Sequence, residues 1–184
     1  MLGRRIHVTG NSCAGKSTLG ARLAERLSLP FVELDALNWE PGWVGLHEAD
    51  PEELTRRIED ATAGDEWVVA GSYSRFSKPL LWPRLETAIW LDLPRLTLAR
   101  RALVRSWRRW RSKELLWRTN REKFFPQLKI WSKRDSLIPW IIGQHEEKRH
   151  FMIEGMADPR WEHIRFIRLR SSREIEELVR DVMA

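Results

Sequence analysis

The chain has 184 residues, 42% hydrophobic and 32% charged, enough for one well-buried domain and too few for two. Its single cysteine, Cys13, excludes an intrachain disulfide and fits a reducing compartment. No apolar run approaches the roughly 18 residues of a membrane span, so a cytoplasmic location away from membranes is expected. The net charge of +6 is local: residues 95–134 hold fourteen Lys and Arg against Glu114 and Glu122, a balance of +12, and the rest sums to −6. That concentration points to a phosphate-binding segment rather than to a chain coated for nucleic acid. The histidines, at 7, 47, 145, 150 and 163, have none of the spacings that build a zinc site.

In chain order, Arg4 to Thr9 reads as a buried strand, and Ser17 to Leu27 as a helix with apolar residues at Leu19, Leu23 and Leu27. Phe31 to Leu34 is a second strand, ending at Asp35. Pro51 to Thr62 is a helix with Asp50 as its N-cap. Trp67 to Ala70, Ala88 to Leu91 and Ile164 to Leu169 are short apolar runs suited to strands covered on both faces. Ser171 to Glu174 is a capping box that opens a last helix to about Val182. Between Pro94 and Glu154 the strand signal vanishes, and helical stretches rich in Arg, Lys and Trp take over, broken at Pro126, Pro139 and Gly143. Strands alternating with helices predict a parallel, doubly wound α/β sheet carrying a helical insertion.

Gly10, Asn11, Ser12, Cys13, Ala14, Gly15, Lys16 and Ser17 match G-x-x-x-x-G-K-[ST] at every fixed position, between a predicted strand and a predicted helix. The two glycines let successive backbone N–H groups turn inward around a phosphate, and the helix that follows adds its positive end. Lys16 is placed to reach the β- and γ-phosphates of ATP, Ser17 to ligate Mg2+, and Thr18 to bond the α-phosphate. Cys13 reads as a tolerated small residue in the loop.

Beyond this loop the sequence resembles the adenylate-kinase-like group of small P-loop kinases, in particular the proteins labelled DNA topology modulation proteins. The residues that carry the resemblance are Gly10 to Thr18, Leu34 to Trp43, Gly71-Ser72-Tyr73, and Leu91 to Arg95 with Arg101 and Arg105. The resemblance implies a P-loop NTPase fold with a five-stranded parallel sheet. It also implies an acceptor-binding segment over residues 36–63, a basic helical lid over 95–134, and an adenine site at Leu169 to Ser172 with Arg170 against the ring. Where related proteins carry an acid before the glycine of Gly71-Ser72-Tyr73, this chain has Ala70. That departure leaves Asp35, on the ligand-binding edge of the sheet, as the expected magnesium carboxylate or acceptor base, with Asp92 as a secondary magnesium candidate.

Arg101 and Arg105, four apart on the predicted lid helix, form the expected catalytic clamp, with Arg108, Arg109 and Arg111 continuing the cluster. Trp39 and Trp43 bracket Pro41-Gly42 within the acceptor segment, where they can stack on a base or sugar or simply pack. Arg75 is the expected contact for an acceptor phosphate. The leading expectation is an ATP- and Mg2+-dependent kinase of a nucleotide or nucleoside. Alternatives are a kinase of another small hydroxyl compound, and an ATP-gated nucleic-acid-binding protein using residues 95–134. Oligomeric state is not encoded in any of these signals.

Overall fold

The computed structural model describes residues 2–113, 115–117, 120–121, 124 and 137–182. The chain runs β1 (Arg5–Gly10), α1 (Lys16–Leu27), β2 (Phe31–Glu33), α2 (Leu34–Asn38), β3 (Trp39–Glu40), β4 (Val44–Gly45), α3 (Leu46–Ala49), α4 (Pro51–Ala61) and β5 (Trp67–Ala70). It continues through α5 (Ser74–Leu81), β6 (Thr87–Leu91), α6 (Arg95–Ser112), β7 (Leu115–Leu116), β8 (Asn120–Arg121), α7 (Leu137–Gly143), α8 (His145–Ala157), β9 (Arg165–Leu169) and α9 (Ser172–Asp181). Strands β2, β5, β1, β6 and β9 form, in that order, one five-stranded sheet, and every pairing in it is parallel.

A strand covered on both faces needs apolar residues at odd and even positions alike. Ile6, Val8, Val68, Ile89, Leu91 and Leu169 face one core, shared with α1, α6, α7 and α9. Val32, Trp67, Val69, Ala88 and Trp90 face the other, shared with Leu34, Leu54 and Ile58 from α2 and α4, Phe76 and Leu81 from α5, and Met152 from α8. Each large side chain in these sets is almost fully buried, a stabilisation of about 1.5–3 kcal/mol apiece relative to exposure.

The predicted elements appear with small changes at their ends. Asp50 caps α4 by accepting from Glu53 N at 3.1 Å, with Pro51 in the first position. Ser171 caps α9 by accepting from Glu174 N at 3.2 Å, while the Glu174 carboxylate takes Arg170 N at 2.8 Å. Two corrections concern element type. Strand β2 ends at Glu33, and Asp35 lies in the short helix that follows, because Leu34 turns inward onto Gly71 and is completely buried. The segment after Pro94 is not purely helical either: β7 and β8 form an antiparallel two-residue hairpin, too short to show alternation in sequence. Pro139 lies within α7 and Gly143 ends it, whereas Pro126 lies outside the described residues.

His7 is the polar exception in the middle of the sheet, only 1% exposed. Its Nε2 lies 3.0 Å from Gly71 O, which makes Nε2 the protonated nitrogen of a neutral ring. Burial pulls its pKa from 6.5 to about 4; the Gly71 bond opposes that fall and the nearby Lys16 charge adds to it. The unfolded chain therefore binds more protons between these values, so stability rises with pH there. Acidification from the ordinary histidine value to about 4 is expected to cost about 3 kcal/mol. In urea denaturation this part of the pH dependence should be present in the wild type and absent from His7→Leu.

Candidate functional site

The P-loop leaves the sheet at the last rung between β1 and β6, where Gly10 pairs with Leu91. Gly10 has φ 145°, and a Cβ there would stand 2.7 Å from Leu91 O, so no side chain fits. Gly15 (φ 101°) ends the loop as the residue before α1. Cys13, half-buried, also takes a left-handed φ of 62°, a strained state for a residue with a Cβ. Asn11 organises the interior. Its carbonyl accepts from Ala14 N at 3.2 Å and from Lys16 Nζ at 3.1 Å, its Oδ1 accepts from Ser12 N at 2.8 Å, and its Nδ2 donates to Ile141 O at 2.9 Å. The loop is thus held in shape from both sides, with the N-terminal end of α1 behind it.

Lys16 is the charge centre. Burial lowers its pKa, an effect opposed by the carboxylates of Asp35 and Glu33 and reinforced by Arg105. These four side chains come from α1, α2, β2 and α6, and they act on one another at the carboxyl edge of the sheet, where open α/β folds bind ligands.

The carboxylates divide between two partners. The Ser17 hydroxyl donates to Glu33 Oε1, not to Asp35. Glu33 pairs in register with Ala70 on the neighbouring strand. Asp35 accepts instead from the Tyr73 hydroxyl at 2.7 Å; burial and the Asp35 charge together push the tyrosine pKa up, keeping it a donor. The sequence signal for Glu33 is its place at the carboxyl end of β2, two residues before Asp35. Ser17 and Glu33 offer hard oxygen donors beside the phosphate loop, a set that fits Mg2+. Asp92 is occupied elsewhere: 6% exposed, it accepts from Arg168 Nε at 2.9 Å and lies 3.2 Å from Arg149 Nε.

The lid arginines separate in role. Arg101 donates to Ala14 O at 2.8 Å and to Ser172 Oγ at 2.9 Å, joining α6 to the P-loop and to the start of α9. Arg105, one turn on, is near enough for its charge to act on Lys16, and its buried Nε has no hydrogen-bond partner among the described residues. Arg170 is exposed, its backbone N–H absorbed in the α9 cap, and Thr18 is exposed at the start of α1. Arg75 is also exposed: it lies over Phe76 at 5.8 Å and lines grooves on the flank of α5 with Thr55 and Glu59 on one side and Lys78 and Trp161 on the other.

An aromatic cluster closes the Asp35 side. Trp39 and Trp117 stack at 6.4 Å, and Trp43 meets both edge-on at 5.6 and 5.8 Å. His47 touches Trp39 at 5.9 Å and Tyr73 at 5.6 Å. At these separations the rings pack against one another with no room for a base between them. The tip of the β3–β4 hairpin takes left-handed angles at Gly42 (φ 77°) and Trp43 (φ 63°), as a tight turn requires. Asn120 of β8 receives Trp43 N at 2.9 Å and donates to Glu40 O at 3.0 Å, and Trp43 Nε1 donates to Arg121 O at 3.3 Å. Trp117 and His47 are members of the site that sequence reasoning missed.

No protein-family model matches the chain, and no curated protein matches it in sequence. Solved structures do match its fold. A gluconokinase from Sinorhizobium meliloti superposes with a TM-score of 0.55 at 21% identity, over 98% of this chain and 90% of its own. A shikimate kinase from Bacteroides thetaiotaomicron gives 0.56 at 19%, over 98% and 96%. One from Aquifex aeolicus gives 0.58 at 16%, over 97% and 94%. With its five-stranded parallel sheet, flanking helices and glycine-bearing loop after β1, the chain has the fold of these P-loop kinases.

Proposed function

We propose that the chain is an ATP- and Mg2+-dependent phosphotransferase that moves the γ-phosphoryl group in line to a nucleotide, nucleoside or similar small acceptor. The observation that carries this reading is the approach of Lys16, on the donor loop, to Asp35, the carboxylate held by Tyr73. A cation for the transferring group and a carboxylate for the acceptor's proton thus face each other across a gap over which their charges interact. In this reading Asn11 O releases the Lys16 ammonium to the phosphates, and Arg105 adds charge at the same oxygens. Arg101 holds the lid helix against the donor loop. Ser17 and Glu33 hold the magnesium ion, which when bound neutralises phosphate charge. Trp39 and Trp43 flank the acceptor. The narrower resemblance to the proteins labelled DNA topology modulation proteins rests on Asp35 to Trp43 and Gly71 to Tyr73, both of which border this gap.

A second reading, a kinase of a non-nucleotide hydroxyl compound, draws on the position of Arg75. That residue lines the flank of α5 instead of the gap, so it offers no phosphate contact for a nucleotide acceptor. The names of the gluconokinase and shikimate kinases point the same way for those proteins.

Measuring ADP release across nucleoside monophosphates, nucleosides and small hydroxy acids separates the two. Lys16→Met should lose turnover at least about a hundredfold with every acceptor; unchanged turnover would sink the donor assignment. Asp35→Asn should lower acceptor-dependent turnover about 10²- to 10⁴-fold while leaving ATP binding intact. For the metal, Glu33→Gln should raise the Mg2+ concentration for half-maximal nucleotide binding about tenfold or more. An equal effect from Asp35→Asn and none from Glu33→Gln would return the metal to Asp35.

A further inference from the structure

The flank of α5 carries a cavity that neither the donor loop nor the gap at Asp35 uses. It is a groove of about 510 Å³, to which α5 contributes Arg75, Lys78 and Pro79, α8 contributes Phe151, and the 3-10 turn Pro159–Trp161 contributes Arg160 and Trp161. That volume falls within the roughly 300–1,000 Å³ of small-molecule sites. The lining rings rest on a fixed support. Trp82, 1% exposed, meets Trp161 edge-on at 5.4 Å and Phe151 at 5.8 Å. Gly155 lets α8 close on that indole, since a Cβ there would stand 2.6 Å from the ring, and His163 Nε2 lies 3.1 Å from Trp82 O.

Three cations line the groove and, among the described residues, no carboxylate does. Arg160 is satisfied by Asp158, which accepts its Nε at 3.0 Å and a terminal nitrogen at 2.6 Å. Lys78 and Arg75 are not. The half-buried Lys78 ammonium lies 5.2 Å from the Phe151 ring, 5.3 Å from that of Trp82 and 5.9 Å from that of Trp161, while Arg75 lies over Phe76 at 5.8 Å. Aromatic faces hold a cation in place but occupy none of its N–H donors, and among the described residues neither side chain has a hydrogen-bond or ion-pair partner. Pro79, Phe151, Trp161 and the methylene stem of Lys78 make the rest of the surface apolar.

We infer that this groove is a second ligand site, and that its ligand is a small anion with an apolar or aromatic body. The rings and Pro79 receive the body, and Lys78 and Arg75 receive a carboxylate or phosphate. A neutral ligand of the same shape would leave the donors of both cations unused, and a cationic one would meet three like charges. A second copy of the chain presenting the same face would bring those like charges together, which disfavours self-association through the groove. Neither Lys16 nor Asp35 lines this cavity, so the site stands whether or not the phosphotransferase reading does.

Benzoate and phenyl phosphate serve as probes, with benzyl alcohol as their neutral counterpart, each titrated into the full chain. Binding is followed by the tryptophan indole N–H resonances, that of Trp161 being assigned through Trp161→Phe. The wild type should bind at least one anion with a Kd of about 1 mM or tighter, with Trp161 among the signals that shift, and the preferred anion distinguishes a carboxylate from a phosphate head group. Benzyl alcohol should bind at least about tenfold more weakly. Lys78→Met, which keeps the apolar stem, should weaken anion binding about tenfold or more, Lys78→Arg should retain most of it, and Arg75→Gln should weaken it about threefold. Lys16→Met should leave it within about twofold of wild type.

The inference is overturned by a wild type that binds neither anion at about 10 mM, or by benzyl alcohol binding as tightly as the anions. It is overturned equally by Lys78→Met and Arg75→Gln binding like wild type, or by a Trp161 signal that does not move. Binding lost in Lys16→Met and kept in Lys78→Met would belong to the donor loop instead. A chain that sediments as a dimer and is returned to monomer by Trp161→Glu would give the groove to a second copy. Far-UV circular dichroism and thermal midpoints confirm that each variant is folded, and Arg75→Gln, at an exposed position, keeps the test decisive if Lys78→Met fails to fold.

Discussion

The passage of Gly10 against the carbonyl of Leu91 sets the geometry of everything at the carboxyl edge of the sheet. The closest approach of β1 to β6 occurs where β1 must also bend into the phosphate loop, and a residue without a Cβ is the only solution to both demands. From that rung the loop is tied outward on three sides. Ser72 reaches Gly10 O from the end of β5, Ile141 O receives Asn11 from α7, and Arg101 comes down from α6 onto Ala14 O. Three segments far apart in sequence thereby take their positions from one short turn.

The charges gathered at this edge are arranged in opposition. Lys16 and Arg105 stand on the donor side, Glu33 and Asp35 at the end of β2, and each carboxylate is committed to a different hydroxyl, Ser17 or Tyr73. Splitting two nearby acids between two donors keeps them from competing for one proton or one cation. The parallel register of β2 and β5 sets Glu33 beside Ala70, the position where the resemblance led one to expect an acid.

The parts legible in sequence were those fixed by local pattern. The loop from Gly10 to Ser17, the five strands of the parallel sheet, the Asp50 and Ser171 caps and the helix end at Gly143 each depend on a few consecutive residues, whereas Pro139, expected to break a helix, lies inside α7. What escaped depends on distant ones. Glu33 matters because of a strand pairing 37 positions away, at Ala70. Asp92 looked available for a metal until Arg149 and Arg168, from a later helix and strand, closed on it. Arg75 was judged by its neighbour Tyr73, but the phase of α5 turns it to the flank. Trp117 joined the aromatic cluster beside Asp35 through folding of the segment after Pro94, whose composition gave helices and charge but no direction.

The side chain of Asn120 bridges the β3–β4 hairpin with both ends of its amide, and the Trp43 indole adds a third bond to Arg121. Each such bond contributes on the order of 1 kcal/mol net, so the fastening as a whole is weak enough for thermal motion to undo. Because it joins the segment beside Asp35 to the hairpin that follows the arginine helix, any separation of the two must break all three of these bonds at once.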